Sequence, residues 1–155
     1  MDKTSYALST FDSGFNCSQS VLKAFCNEFG LHDEMAFRIA CGFGGGMGRM
    51  AKTCGAVTGA FMVIGLKYGQ IQSDNKTAKE KTYTLVRECA DLFTKEHGSI
   101  ECRELLACDI NTPQGFKDAN EKGLFKTICP KYVESVVKIL EKILSADSHS
   151  AQKVI

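Results

Sequence analysis

Apolar residues recur every three or four positions through most of this chain, and proline interrupts the pattern only at Pro113 and Pro130. That combination favours helices packed on helices, because a period of 3.6 gives each segment one face to bury and proline-free stretches let it run. The clearest segment is 130–144, where Val133, Val136, Val137, Leu140, Ile143 and Leu144 share a face. Comparable stripes predict helices at about 16–29, 33–41, 54–68, 76–96 and 100–107, with a weaker one at 114–125. Gly30, Gly42, Gly69 and Gly98 stand where these should stop. Few segments alternate as strands would. The expected fold is all-α, a single-domain bundle of about six to seven helices over 1–145, with 146–155 as a disordered tail.

With 155 residues, 44% of them hydrophobic, the chain can bury one core without staples. A formal net charge of +1 argues against nucleic acid as the main partner. The N-terminal MDKTSYALSTF has no apolar signal core, and the longest apolar run, Gly55 to Leu66, is too short to span a bilayer and is closed by Lys67. The expectation is a cytoplasmic protein with no membrane span. Disulfides are uncommon in that compartment, so eight cysteines point to metal or thiol chemistry, to core filler, or to both.

Placed on the expected helices, the eight divide. Cys26 and Cys89 lie within apolar stripes, Cys41 at a helix end and Cys108 just after Leu105 and Leu106, all readable as buried filler. The other four fall at helix starts. Asn16-Cys17-Ser18-Gln19 reads as a capping box, Thr53 as the cap of a helix opened by Cys54, Ser99 as the cap of a helix with Cys102 in its first turn, and Cys129 precedes Pro130. Helix N-termini favour negative charge, which lowers a thiol's pKa and makes it a better nucleophile or ligand. Four inward-facing thiols suit an iron–sulfur cluster or zinc, although no C-x-x-C spacing marks a local site.

Between Cys41 and Cys54 lies FGGGMGRMAKT. It lacks the Walker pattern, and a partial dinucleotide fingerprint at Gly46–Ala51 has no βαβ unit around it. From Met35 to Ser73 there is no Asp or Glu, while Arg38, Arg49, Lys52 and Lys67 are basic. Gly45, Gly46 and Arg49 are therefore candidate contacts for an anionic group, the glycines letting backbone approach closely. Gly55, Gly59, Gly65 and Gly69 recur at helical spacing, chiefly readable as close helix packing.

These blocks also resemble a known family, the redox-active proteins named for the pattern C_GCAxxG_C_C. CGAVTG (54–59) matches its central element, and NCSQSVLKAF, FGGGMGRM, CRELL and CPKYV resemble its other blocks, in order, over about residues 14–140. The resemblance implies that Cys17, Cys54, Cys102 and Cys129 are the family cysteines, and it implies redox activity with a bound prosthetic group. Four further cysteines depart from the pattern.

Three readings follow. The first is a redox protein holding an iron–sulfur cluster, zinc or another prosthetic group on the four cysteines. The second is a cofactor-free thiol–disulfide oxidoreductase using Cys54 and a partner cysteine. In that reading no base is assigned, and His32, His97 and His149 read as loop or surface residues. The third is a bundle that binds an anion or partner without catalysis. A redox partner and a homo-oligomer stay open. The first two readings expect Cys54 in contact range of at least one of Cys17, Cys102 and Cys129, beside the Gly44–Gly48 loop, with Arg49 or Lys52 near enough to offset thiolate charge.

Overall fold

A computed structural model describes residues 1–150. Its elements are α1 (Lys3–Asp12), α2 (Cys17–Phe25), α3 (Asp33–Cys41), α4 (Gly44–Met47), α5 (Gly55–Tyr68), α6 (Lys76–His97), α7 (Cys102–Leu105), α8 (Pro113–Glu121), α9 (Leu124–Thr127) and α10 (Cys129–Ser150). Among the described residues there is no strand, only one isolated antiparallel pairing of Thr53 with Glu101. The all-α expectation holds, and α4, α7 and α9 are single turns.

Helices α2 and α5 form the centre, each buried along most of its length. Their close approach follows from glycine. A Cβ on Gly59 would stand 2.9 Å from the Ser18 carbonyl oxygen and 3.0 Å from the Val21 Cβ, and one on Gly55 would stand 3.2 Å from the Cys17 Cβ. Gly65 does not share this role, having open space around it. The long amphipathic helices α6 and α10 pack around this pair, burying Phe93 and Val133, Val136, Val137 and Leu140. A buried ammonium sits in the same core: Lys23 is 6% exposed and pairs with Asp33 at 2.7 Å.

Several boundaries differ from the sequence pattern. Helix α1 was not expected; it is capped by Asp2, whose carboxylate accepts the Ser5 N–H at 2.7 Å. The helix expected over 16–29 ends at Phe25 and tightens into a 3₁₀ turn, Cys26–Phe29, which Gly30 closes in the left-handed conformation. The segment expected as a helix over 100–107 holds only one turn, because its upstream end is taken by the pairing with Thr53. Helix α10 runs to Ser150, past the boundary expected for the tail, and 151–155 lie outside the described residues.

A second apolar cluster lies beside the main core. It gathers Ala51, Cys102, Leu106, Ile110, Ala119 and Cys129, with Phe116 and Phe125 from α8 and α9 packed against it. Cys17 touches both clusters. The seam between them is where the helix starts converge.

Candidate thiol cavity

Local structure brings each family-pattern cysteine to that seam. At Cys17 the capping box forms as expected: the Asn16 side-chain oxygen accepts the Gln19 N–H at 2.9 Å, and Gln19 Oε1 accepts the Asn16 N–H at 3.0 Å. Asn16 also donates its amide to the Cys41 carbonyl at 3.0 Å, which ties the start of α2 to the end of α3. Cys54 is itself the residue before the helix; Thr53, expected as the cap, pairs with Glu101 instead. Cys54 donates its N–H to the Ile100 carbonyl (2.7 Å) and Cys102 donates to the Lys52 carbonyl (2.6 Å), so the two cysteine segments are strapped side by side. Ser99 caps no helix; its hydroxyl accepts the Glu101 N–H at 2.9 Å. Cys129 opens α10, the helix whose apolar face fills the core.

Cys17, Cys54, Cys102 and Cys129 all line one cavity of about 610 Å³. Cys54, Cys102 and Cys129 are buried and Cys17 is half-buried. The four are gathered, but they are not closed around a point: among the described residues, no three His, Cys, Asp or Glu side chains form a ligand shell for a single metal ion.

The glycine loop forms one wall, and its backbone is unusual. Gly45, Gly46, Met47, Gly48 and Arg49 have φ of 64°, 67°, 63°, 60° and 64°, a full left-handed turn, and Ala51 follows at 55°. Glycine takes this conformation freely, whereas a residue with a Cβ meets the following carbonyl at a cost of about 1–2 kcal/mol. Met47, Arg49 and Ala51 therefore store strain at the site. The turn is held by the Ala51 and Lys52 N–H groups donating to the Gly45 and Gly46 carbonyls at 3.2 and 3.0 Å. It leaves no room at Gly46, where a Cβ would meet the Lys52 nitrogen at 2.5 Å.

Electrostatics correct one expectation. Helix-start thiols should be acidified, yet burial pushes Cys54 up to about 11 against the opposing N–H groups of Ala56 and Val57. Burial likewise pushes Cys102 up to about 12, reinforced by Cys54 and Cys129 and opposed by Arg103. Desolvation outweighs the helix terminus at both positions. Cys129 alone is lowered, because the Cys17 thiol donates to it, and Cys17 is held well above the ordinary range as the donor.

Arg49 lines the cavity, its guanidinium 4.2 Å over the Phe116 ring. Lys52 does not line it, and the charge beside Cys102 is Arg103, which the sequence reading missed. Two cysteines expected as buried filler are not buried. Cys41 is exposed at the cavity rim, because α3 ends there and turns its buried Ala36–Ala40 face away from it. Cys108 is half-buried, with its thiol 3.1 Å from the Gly115 carbonyl. Cys26 and Cys89 are buried as expected. His97 is no surface residue: its ring packs on Phe93 and Tyr132, with centroids at 4.6 and 5.0 Å, and Tyr132 lines the cavity. The side chain of His149 lies outside the described residues.

The family profile described as "Putative redox-active protein (C_GCAxxG_C_C)" matches residues 15–143. The chain belongs to that family. The C_GCAxxG_C_C match takes in all four cavity cysteines and the glycine loop, and leaves out α1 up to its end at Asp12. No curated protein and no solved structure matches the chain. Among the described residues, no helix is long and apolar enough to cross a membrane.

Proposed function

We propose that this C_GCAxxG_C_C protein is a redox carrier that holds an iron–sulfur cluster on Cys17, Cys54, Cys102 and Cys129. The observation that carries this reading is that four cysteines from four separate segments line one cavity. The donor set fits the group, since thiolates are the usual ligands of such clusters. The space fits too. Zinc would need its four sulfurs within roughly 4 Å of one another, and no such shell stands among the described residues. A cavity of about 610 Å³ has room for a larger group.

When bound, a cluster supplies one-electron transfer at a potential set by charge, hydrogen bonds and solvent access. The chain's own residues address each of these. Burial of Cys54, Cys102 and Cys129 keeps water from the sulfurs. The Ala56 and Val57 N–H groups point at the Cys54 sulfur, and Arg103 offsets negative charge beside Cys102. The straps between Lys52 and Cys102 and between Cys54 and Ile100 hold two of the donors rigidly.

A second reading rests on Cys17 and Cys129 lining the cavity together, with Cys129 the more acidic of the two. That pair suits dithiol–disulfide exchange: a thiolate attacks a disulfide of another molecule, its neighbour resolves the mixed disulfide, and two electrons and two protons leave as two thiols. Anaerobic purification followed by absorbance, electron paramagnetic resonance after dithionite, and iron and labile-sulfide assay separates the two. Brown protein with a reduced-cluster signal supports the first reading. Colourless, metal-free protein that forms a Cys17–Cys129 disulfide supports the second.

A further inference from the structure

The cavity is larger than its thiols require, and the rest of its lining has a chemistry of its own. Besides the four cysteines, the lining includes Leu105, Leu106, Ile110, Phe116 and Phe125, the two rings with centroids 5.7 Å apart. Among the described residues no Asp, Glu or Lys lines the cavity, and Arg49 is the one charged side chain in its lining. Among the described residues Arg49 makes no ion pair, whereas Arg103, which is not part of the cavity lining, is partnered by Asp109 at 3.6 Å. Arg49 is exposed to solvent, and its contact with the cavity lining is the guanidinium lying 4.2 Å from the Phe116 ring centre. Its backbone is in the left-handed region, φ 64°, a conformation unfavourable for arginine. The two asparagines on the wall are already engaged. Asn16 caps α2 and donates to Cys41, and Asn120 donates to the Phe116 carbonyl at 3.1 Å.

We infer that this cavity binds an aromatic carboxylate, its ring against the apolar lining of Phe116, Phe125, Leu105 and Ile110 and its carboxylate on the Arg49 fork. The volume and apolar lining match a small-molecule site oriented by one polar group. A planar guanidinium without a carboxylate partner recognises two carboxylate oxygens in parallel, and an amine would be repelled. The inference rests on reading the cavity as the redox site, because it names the class of molecule brought to those thiols. Its test is independent of any bound metal.

The probe is 2-naphthoate, with 2-naphthylmethanol as its neutral counterpart, titrated by calorimetry into the reduced, metal-free chain. Naphthoate should bind at least tenfold more tightly than the alcohol. Arg49→Gln should erase that preference, and Arg49→Lys should keep only part of it. Cys54→Ser should bind naphthoate as the unaltered chain does, even where it abolishes iron uptake, so this inference and the cluster reading fail separately. Equal binding of acid and alcohol, no binding of either, or a preference that survives Arg49→Gln would overturn it. Circular dichroism of the variants shows whether each is folded.

Discussion

Cys17 and Cys129 line the same cavity and shift each other in opposite directions, Cys17 well above the ordinary thiol range and Cys129 below it. One residue opens α2 and the other opens α10, and the contact joins the ends of two helices far apart in sequence. Buried thiols without such a partner are pushed up instead, as Cys54 and Cys102 are.

Thiol reactivity should follow this pattern in the reduced, metal-free protein. At pH 7.5 iodoacetamide should label Cys41 first, because it is exposed, and Cys129 first among the cavity four, because only its thiolate is favoured. Cys54 and Cys102 should lag at about 11 and 12, along with Cys89 at about 12. Peptide mapping by mass spectrometry over time checks the order. Cys102 labelled as fast as Cys129 would contradict it.

The same shifts make stability fall in alkali. An unfolded cysteine loses its proton near pH 8.5, whereas folded Cys54 and Cys102 keep theirs to about 11 and 12. Between those values the unfolded state binds fewer protons than the native one, so stability is full below about pH 8.5 and declines as pH rises toward the folded values. Denaturation midpoints from pH 7 to 10.5 should drop, and the slope should flatten in Cys54→Ala/Cys102→Ala. A midpoint that rises over this range would show the sign to be wrong.

Glycines of α5 should separate by what they face. Gly59→Ala places a methyl 2.9 Å from the Ser18 carbonyl oxygen and should cost about 1–3 kcal/mol by forcing α2 and α5 apart. Gly65→Ala meets nothing within 4 Å and should stabilise by about 0.5–1 kcal/mol, the usual gain within a helix. Urea denaturation of both variants decides, and equal effects would sink the packing account.

The left-handed turn gives another contrast. Gly46→Ala combines an unfavourable φ with a Cβ 2.5 Å from the Lys52 nitrogen, so the loop must shift, at a cost of about 2–4 kcal/mol. Ala51→Gly relieves a positive φ and loses one buried methyl, worth about 0.8 kcal/mol, so it should stay within about 1 kcal/mol of the parent. Thermal melts measure both.

Much of the site was legible because its signals are local. Asn16 and Gln19 announce the start of α2, the apolar run after Pro130 announces α10, and CGAVTG places Cys54 ahead of a glycine-spaced helix. What could not be read depends on distant partners or on energy balances. Thr53 looks like a cap until Glu101, far along the chain, takes its backbone. Met47 and Arg49 have no propensity for the left-handed conformation that tertiary packing imposes on them. Helix starts suggested acidic thiols, but the depth of burial that overrides them is a property of the whole fold. Helix α1 carries only a weak apolar stripe, burying Ala7 alone, and Asp2 was its one local sign.

The central claim is that Cys17, Cys54, Cys102 and Cys129 serve one site, and iron and labile sulfide per chain after anaerobic reconstitution test it most directly. The series is the parent, the four single Cys→Ser variants at those positions, and Cys26→Ser and Cys89→Ser as controls within the core. The account predicts iron and sulfide in equal amounts in the parent and both controls, and severalfold loss in every one of the four. Retention of the full complement in any of the four, or loss in the controls alone, would contradict it.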